Sequence, residues 1–112
     1  MAHYLGIDVG GSATRWHLAD ETGAAGLSGS CIGFSGHIYR PDVLAQAEQA
    51  IEAMSRRIGR VDAIVAGITG VSPGTPEARR LHDLFAQAFG TSAITLMSDI
   101  ELACRTDRKS VV

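Results

Sequence analysis

The sequence is short of most features that would assign a function by themselves. Among its 112 residues there are two cysteines, Cys31 and Cys104, far apart and outside any CxxC spacing. That excludes a thiol-based zinc or redox motif and points to buried thiols. The four histidines, His3, His17, His37 and His82, share no ligand spacing. Basic residues never cluster beyond pairs such as Arg56-Arg57, and the formal net charge is −2, so neither a nucleic-acid nor an anionic-membrane surface is expected. No run approaches the roughly 18 apolar residues of a membrane span, and MAHYLGID lacks the basic and long apolar regions of a signal peptide. A cytoplasmic location is the corresponding expectation. Repeats and low-complexity tracts are absent.

What is present is the composition of one ordinary domain, 46% hydrophobic and 20% charged. Residues 3 to 8 read as a short buried strand. Residues 13 to 19 (ATRWHLA) alternate, with Thr14, Trp16 and Leu18 on one face and Arg15 and His17 on the other. Gly10-Gly11 between them reads as a tight hairpin, and residues 26 to 33 (GLSGSCIG) as a third strand weakened by glycine. Leu44, Ala47, Ile51, Met54 and Ile58 recur at helical spacing between Pro41 and Gly59, which predicts a helix over 41 to 58. VDAIVAGITG (61 to 70) is a continuous apolar run, the pattern of a central strand covered on both faces. A second helix is predicted from Thr75-Pro76-Glu77 to Gly90, then a fifth strand over 93 to 97. Ser98 and Glu101 have capping-box spacing, which puts Asp99 in the first turn of a third helix, and RTDRKSVV ends on the first residues of a further strand. The order β-β-β-α-β-α-β-α fits an α/β fold: a mixed five-stranded sheet with helices on its faces.

The corner at Asp8 and Gly10-Gly11 has two readings. In the plain one, the glycines supply the positive φ of a two-residue hairpin and Asp8 ends a strand. In the functional one, glycine lets the backbone approach a phosphate, successive N–H groups form an anion cradle, and the hydroxyls of Ser12 and Thr14 add donors. Asp8 would then face a hydrated Mg²⁺. The spacing is neither that of a Walker A loop nor that of a dinucleotide-binding turn, because this turn joins two strands.

The stretch IDVGGSATRWHLADETG resembles the first phosphate motif of the actin/hexokinase/Hsp70 superfamily. The whole chain resembles the N-terminal lobe of the BadF/BadG/BcrA/BcrD and N-acetylglucosamine kinase group, through DVGGSAT (8 to 14), FSGH (34 to 37), AGITG (66 to 70) and SDIELA (98 to 103). The resemblance implies a ribonuclease H-like, actin-like ATPase lobe over residues 1 to 112. ATP, Mg²⁺ and an amino sugar would meet between it and a second lobe expected beyond Val112. It implies that Asp8 is the carboxylate on the Mg²⁺ side, through water, and that Gly10, Gly11, Ser12 and Thr14 cradle the phosphates. It implies further that Asp99 is the base toward the sugar hydroxyl, and that Ser35, Gly36 and His37 lie near the sugar.

The family pair Asn-His is Gly36-His37 here, so the sugar stays open, as does a plain surface role for His37. Thr69 and Gly70 would line the cleft or simply end a buried strand. The function implied is phosphorylation of N-acetylglucosamine or glucosamine, with one lobe alone inactive and its uncovered face prone to homodimerise. Two other readings stand: an ATPase component of the BadF type, though neither cysteine lies in a cluster-binding motif, or a non-catalytic sugar-sensing module.

Overall fold

The computed structural model describes residues 2–20, 22 and 25–98. Its elements run β1 (His3–Val9), β2 (Ala13–Asp20), β3 (Ala25–Ile32), α1 (Pro41–Ile58), β4 (Ala63–Ile68), α2 (Pro76–Phe89) and β5 (Ile94–Met97). The expected third helix and final strand lie outside the described residues.

The three-strand meander is there. β1 pairs antiparallel with β2 from His3↔Asp20 to Val9↔Thr14, and β2 pairs antiparallel with β3. The chain then crosses through α1 to β4, which lies parallel to β1, and through α2 to β5, parallel to β4. The resulting order is β3-β2-β1-β4-β5, a mixed sheet in which β1 is the central strand and β4 an interior one beside the edge strand β5. Both crossovers advance in the same direction along the sheet. Right-handed connections then put both helices on the same face, where they touch each other and share one core.

Local chemistry explains the elements. Ala47, Ala50, Ile51 and Met54 form the buried stripe of α1, which begins at Pro41 and stops at Gly59 with φ 78°. In α2 the buried positions are Ala78, Leu81, Phe85 and Phe89. Thr75 caps that helix by accepting from the Ala78 N–H at 3.2 Å, and Gly90 ends it in the left-handed conformation. Against these stripes the sheet places Leu5, Ile7 and Val9 of β1, Trp16 of β2, and Ile64, Ala66 and Ile68 of β4, all buried. Gly29 makes room for the Trp16 ring, over which Arg57 of α1 lies 5.5 Å from the ring centroid.

β4 corrects the expectation of a strand covered on both faces. It is shorter than its apolar run, and its alternation leaves Val65 41% exposed beside Tyr4 of β1 at 44%. Tyr4, Gly6 and Asp8 of β1, Arg15 and His17 of β2, and Val65 line a groove of about 630 Å³ on this open face. An unbroken apolar run does not reveal which side is covered, because Val65 and Ala66 look alike in sequence.

Candidate functional site

The end of β1 sets the site. Asp8 lies on the exposed face, in register with Arg15 on β2 and Gly67 on β4, and has no ion pair among the described residues. The next residue, Val9, turns inward and is fully buried, so the chain is anchored one position before the glycines. Gly10 donates its N–H to the Ala13 carbonyl at 2.9 Å, closing the turn over Gly11 and Ser12.

Two features of this turn differ from expectation. Neither Gly10 nor Gly11 has positive φ; the described positive-φ glycines are Gly59, Gly70, Gly74 and Gly90. The tight hairpin between β1 and β2 is present as expected, but positive φ is not what the glycine pair supplies to it. A Cβ at Gly11 would meet nothing within 4 Å, so nothing in the described chain requires glycine at that position. The second feature is Thr14, which pairs with Val9 and shares its inward face. Its hydroxyl is fully buried without a hydrogen-bond partner of normal geometry. Strand alternation thus turns Thr14 away from the Asp8 side, and its hydroxyl cannot serve as a phosphate donor there. Gly10, Gly11 and Ser12 remain together at the turn, with Gly11 and Ser12 exposed.

Thr69 ties a second loop to this corner. Both its N–H and its hydroxyl donate to the Val9 carbonyl, at 3.1 and 3.2 Å. Its own carbonyl accepts the Gly36 N–H at 2.8 Å, which brings in the segment that follows β3. A Cβ at Gly36 would lie 2.5 Å from Val71 N and 2.6 Å from the Gly70 carbonyl, so the two loops meet backbone to backbone. Gly70, with φ 80°, receives the His37 ring against its α-carbon. The His37 N–H donates to Ser35 Oγ at 3.2 Å, Ser35 Oγ lies 3.3 Å from Nδ1, and Tyr39 meets the ring edge-on at 5.9 Å.

Ser35, Gly36, His37, Thr69 and Gly70, far apart in sequence, are therefore brought together. Of these, Gly36, His37 and Gly70 border a shallow concavity of about 230 Å³ whose walls also include Tyr39, Ser72, Thr75 and Glu77. Sequence reading missed these last four. Their signal was weak, since Thr75 and Glu77 look like ordinary helix-capping residues.

Asp99 lies outside the described residues, two positions beyond Met97. Met97 itself is in register with Gly67, and Gly67 with Asp8. No group of three metal-binding side chains gathers among the described residues. An exposed carboxylate beside an open glycine turn still suits Mg²⁺, which keeps several waters and takes phosphate oxygens among its ligands. Of the two cysteines, Cys31 is free and half-buried. Burial pushes its thiol above the ordinary range, and the Thr14 hydroxyl across the strand pulls it partway back. No described helix is long and apolar enough to cross a membrane.

No family model matches the chain, and no curated protein matches it. Solved structures do. The glucokinase of Balamuthia mandrillaris, in complex with glucose, superposes with TM-score 0.58 at 16% identity, over 92% of this chain and 31% of that one. A Chromobacterium violaceum protein provisionally described as an N-acetylglucosamine kinase gives 0.54 at 19%, over 88% and 35%. The PPX-GPPA enzyme of Aquifex aeolicus gives 0.54 at 16%, over 87% and 36%. These likenesses show the fold: an α/β domain with a mixed five-stranded sheet, similar to actin-like ATPase domains and consistent with the ribonuclease H-like fold. The chain spans about a third of the length of these structures.

Proposed function

We propose that the chain is the N-terminal lobe of an ATP-dependent sugar kinase of the BadF/N-acetylglucosamine kinase type, acting on N-acetylglucosamine or glucosamine. One observation carries the proposal: among the described residues Asp8 stands exposed and without an ion pair, beside a turn whose Gly11 faces open space and is not required by its backbone angles. A turn open on that side suits close approach by a phosphate. The fold likeness to sugar kinases supports the reading, and so does the resemblance of four separate motifs.

In this reading Gly10, its own N–H bound to the Ala13 carbonyl, shapes the turn and lets the phosphates approach, the N–H groups of Gly11 and Ser12 receive them, and Asp8 would hold a water of the metal. Mg²⁺, when bound, neutralises charge on the transferring phosphoryl group. Thr69, by binding the Val9 carbonyl, fixes the turn relative to the loops at Ser35–His37 and Gly70. Those loops present polar groups to a polyhydroxyl acceptor. Asp99 accepts the proton of the attacking hydroxyl, whose oxygen bonds to the γ-phosphorus as ADP leaves. The second lobe would close over the nucleotide and exclude water.

The test is an assay of the complete protein with MgATP and each amino sugar, following ADP and sugar phosphate together. Stoichiometric sugar phosphate supports the proposal. ATP hydrolysis indifferent to sugar contradicts it and favours an ATPase component of the BadF type.

A further inference from the structure

The glycine turn is held from behind by a residue that its motif does not contain. β3 ends at Ile32 and the chain leaves the sheet as Gly33-Phe34-Ser35-Gly36. Gly33 is buried directly against the phosphate turn. A Cβ there would lie 2.2 Å from the Gly10 carbonyl oxygen, 2.5 Å from Ala13 N and 2.8 Å from the Gly11 carbonyl carbon. All three are backbone atoms, so no side-chain rotation relieves the clash. Bringing the closest of them out to ordinary contact requires the turn or the strand end to retreat by about 1 Å.

Three residues on, Gly36 makes the matching approach to Gly70 and Val71, with its N–H on the Thr69 carbonyl. Phe34, 1% exposed, pins the segment to the core between them. The segment from 33 to 36 thus fills the gap between the phosphate turn and the β4 exit loop. It touches each through a glycine.

We propose that Gly33 is a positioning residue for phosphoryl transfer: it sets the Gly10–Ser12 turn at the height the phosphates require. The Gly33–Gly36 segment thereby fixes the spacing between the phosphate turn and the acceptor loops. This rests on the kinase reading above and adds to it a residue that touches neither substrate. Gly33 acts only through the Gly10 carbonyl and its neighbours. A misplacement of about 1 Å at a positioning contact costs on the order of 10²-fold in rate.

The experiment uses the complete protein carrying Gly33→Ala, with Asp8→Ala and Gly11→Ala as controls. Kinetics are measured separately for MgATP and for the amino sugar, and binding of the sugar alone is measured by calorimetric titration. The expected result for Gly33→Ala is a loss of about 10²-fold in kcat/KM for MgATP, with sugar binding within about twofold of wild type. A glycine needed only for folding would weaken both substrates together, and that outcome overturns the proposal. Wild-type MgATP kinetics in Gly33→Ala, with both controls impaired, also overturns it while leaving the kinase reading intact. Wild-type MgATP kinetics in both controls removes the kinase reading itself, and the proposal with it.

If Gly33→Ala does not fold, amide hydrogen exchange on the wild type decides. MgADP must slow exchange at Gly33 and Phe34 together with Gly10 to Ser12. Unchanged exchange at 33 and 34 when the turn is protected overturns the proposal.

Discussion

Replacing Gly11 with alanine separates a structural glycine from a functional one, because the two accounts predict opposite changes. The added Cβ meets no atom of the described residues within 4 Å, and the backbone there is outside the left-handed region. The fold should therefore tolerate alanine. Narrowing the unfolded chain should add about 0.4–1 kcal/mol, or about 1–4 °C in melting temperature for a protein larger than this chain. A bound phosphate would instead meet the new methyl group where it needs the backbone. Loss of one charge-assisted hydrogen bond costs about 1.5–3 kcal/mol, which is roughly 10- to 150-fold in affinity. Calorimetric titration with MgATP and a scanning melt on the complete protein supply both numbers. Equal nucleotide affinity in wild type and variant would refute the reasoning, as would a clear loss of stability.

Asp8→Ala should lower turnover by several orders of magnitude with little change in melting temperature, since the carboxylate is exposed and unpaired among the described residues; near-normal turnover in a steady-state assay would return Asp8 to a strand-end role. Thr14→Val removes a buried hydroxyl that lacks a good partner, so it should be neutral or stabilising by about 1 kcal/mol and leave the KM for MgATP unchanged. Asp99→Asn should melt within a few degrees of wild type and still bind sugar, yet lose on the order of 10² to 10⁴ in turnover; a drop in stability with turnover retained would leave Asp99 a helix-capping role only. With its thiol pushed up by burial, Cys31 should stay protonated through neutral pH. Its alkylation by iodoacetamide, followed by mass spectrometry, should accelerate only above the pH at which an exposed cysteine reacts.

The meander and both described helices were legible because their signals are local. Alternation in ATRWHLA assigns its faces directly, and Pro41, Gly59, Thr75 and Gly90 punctuate the helices where the structure has them. The convergence of Ser35–His37 with Thr69–Gly70 was suggested only by resemblance, since backbone contact between residues more than 30 apart leaves no periodic trace. Gly33 went unread for a related reason, and the contact of Gly36 with Gly70 and Val71 left no trace either. A glycine required by a neighbouring loop looks, in sequence, like a glycine that merely weakens a strand. Thr14 misled in the opposite sense, because a hydroxyl two residues past a glycine turn suggests a donor until strand alternation turns it inward. The uncovered face bearing Tyr4 and Val65 could not be read from an apolar run at all.

The central claim is that the Asp8–Ser12 corner receives the phosphates of a nucleotide. The most direct measurement is a titration of the ¹⁵N-labelled complete protein with Mg²⁺ and a non-hydrolysable ATP analogue, following the backbone amides of Gly10, Gly11 and Ser12. The account predicts that these three move furthest as the analogue saturates, and that they stay still when Asp8→Ala is titrated to the same concentration. Saturable binding in the wild type with all three amides unmoved would contradict it.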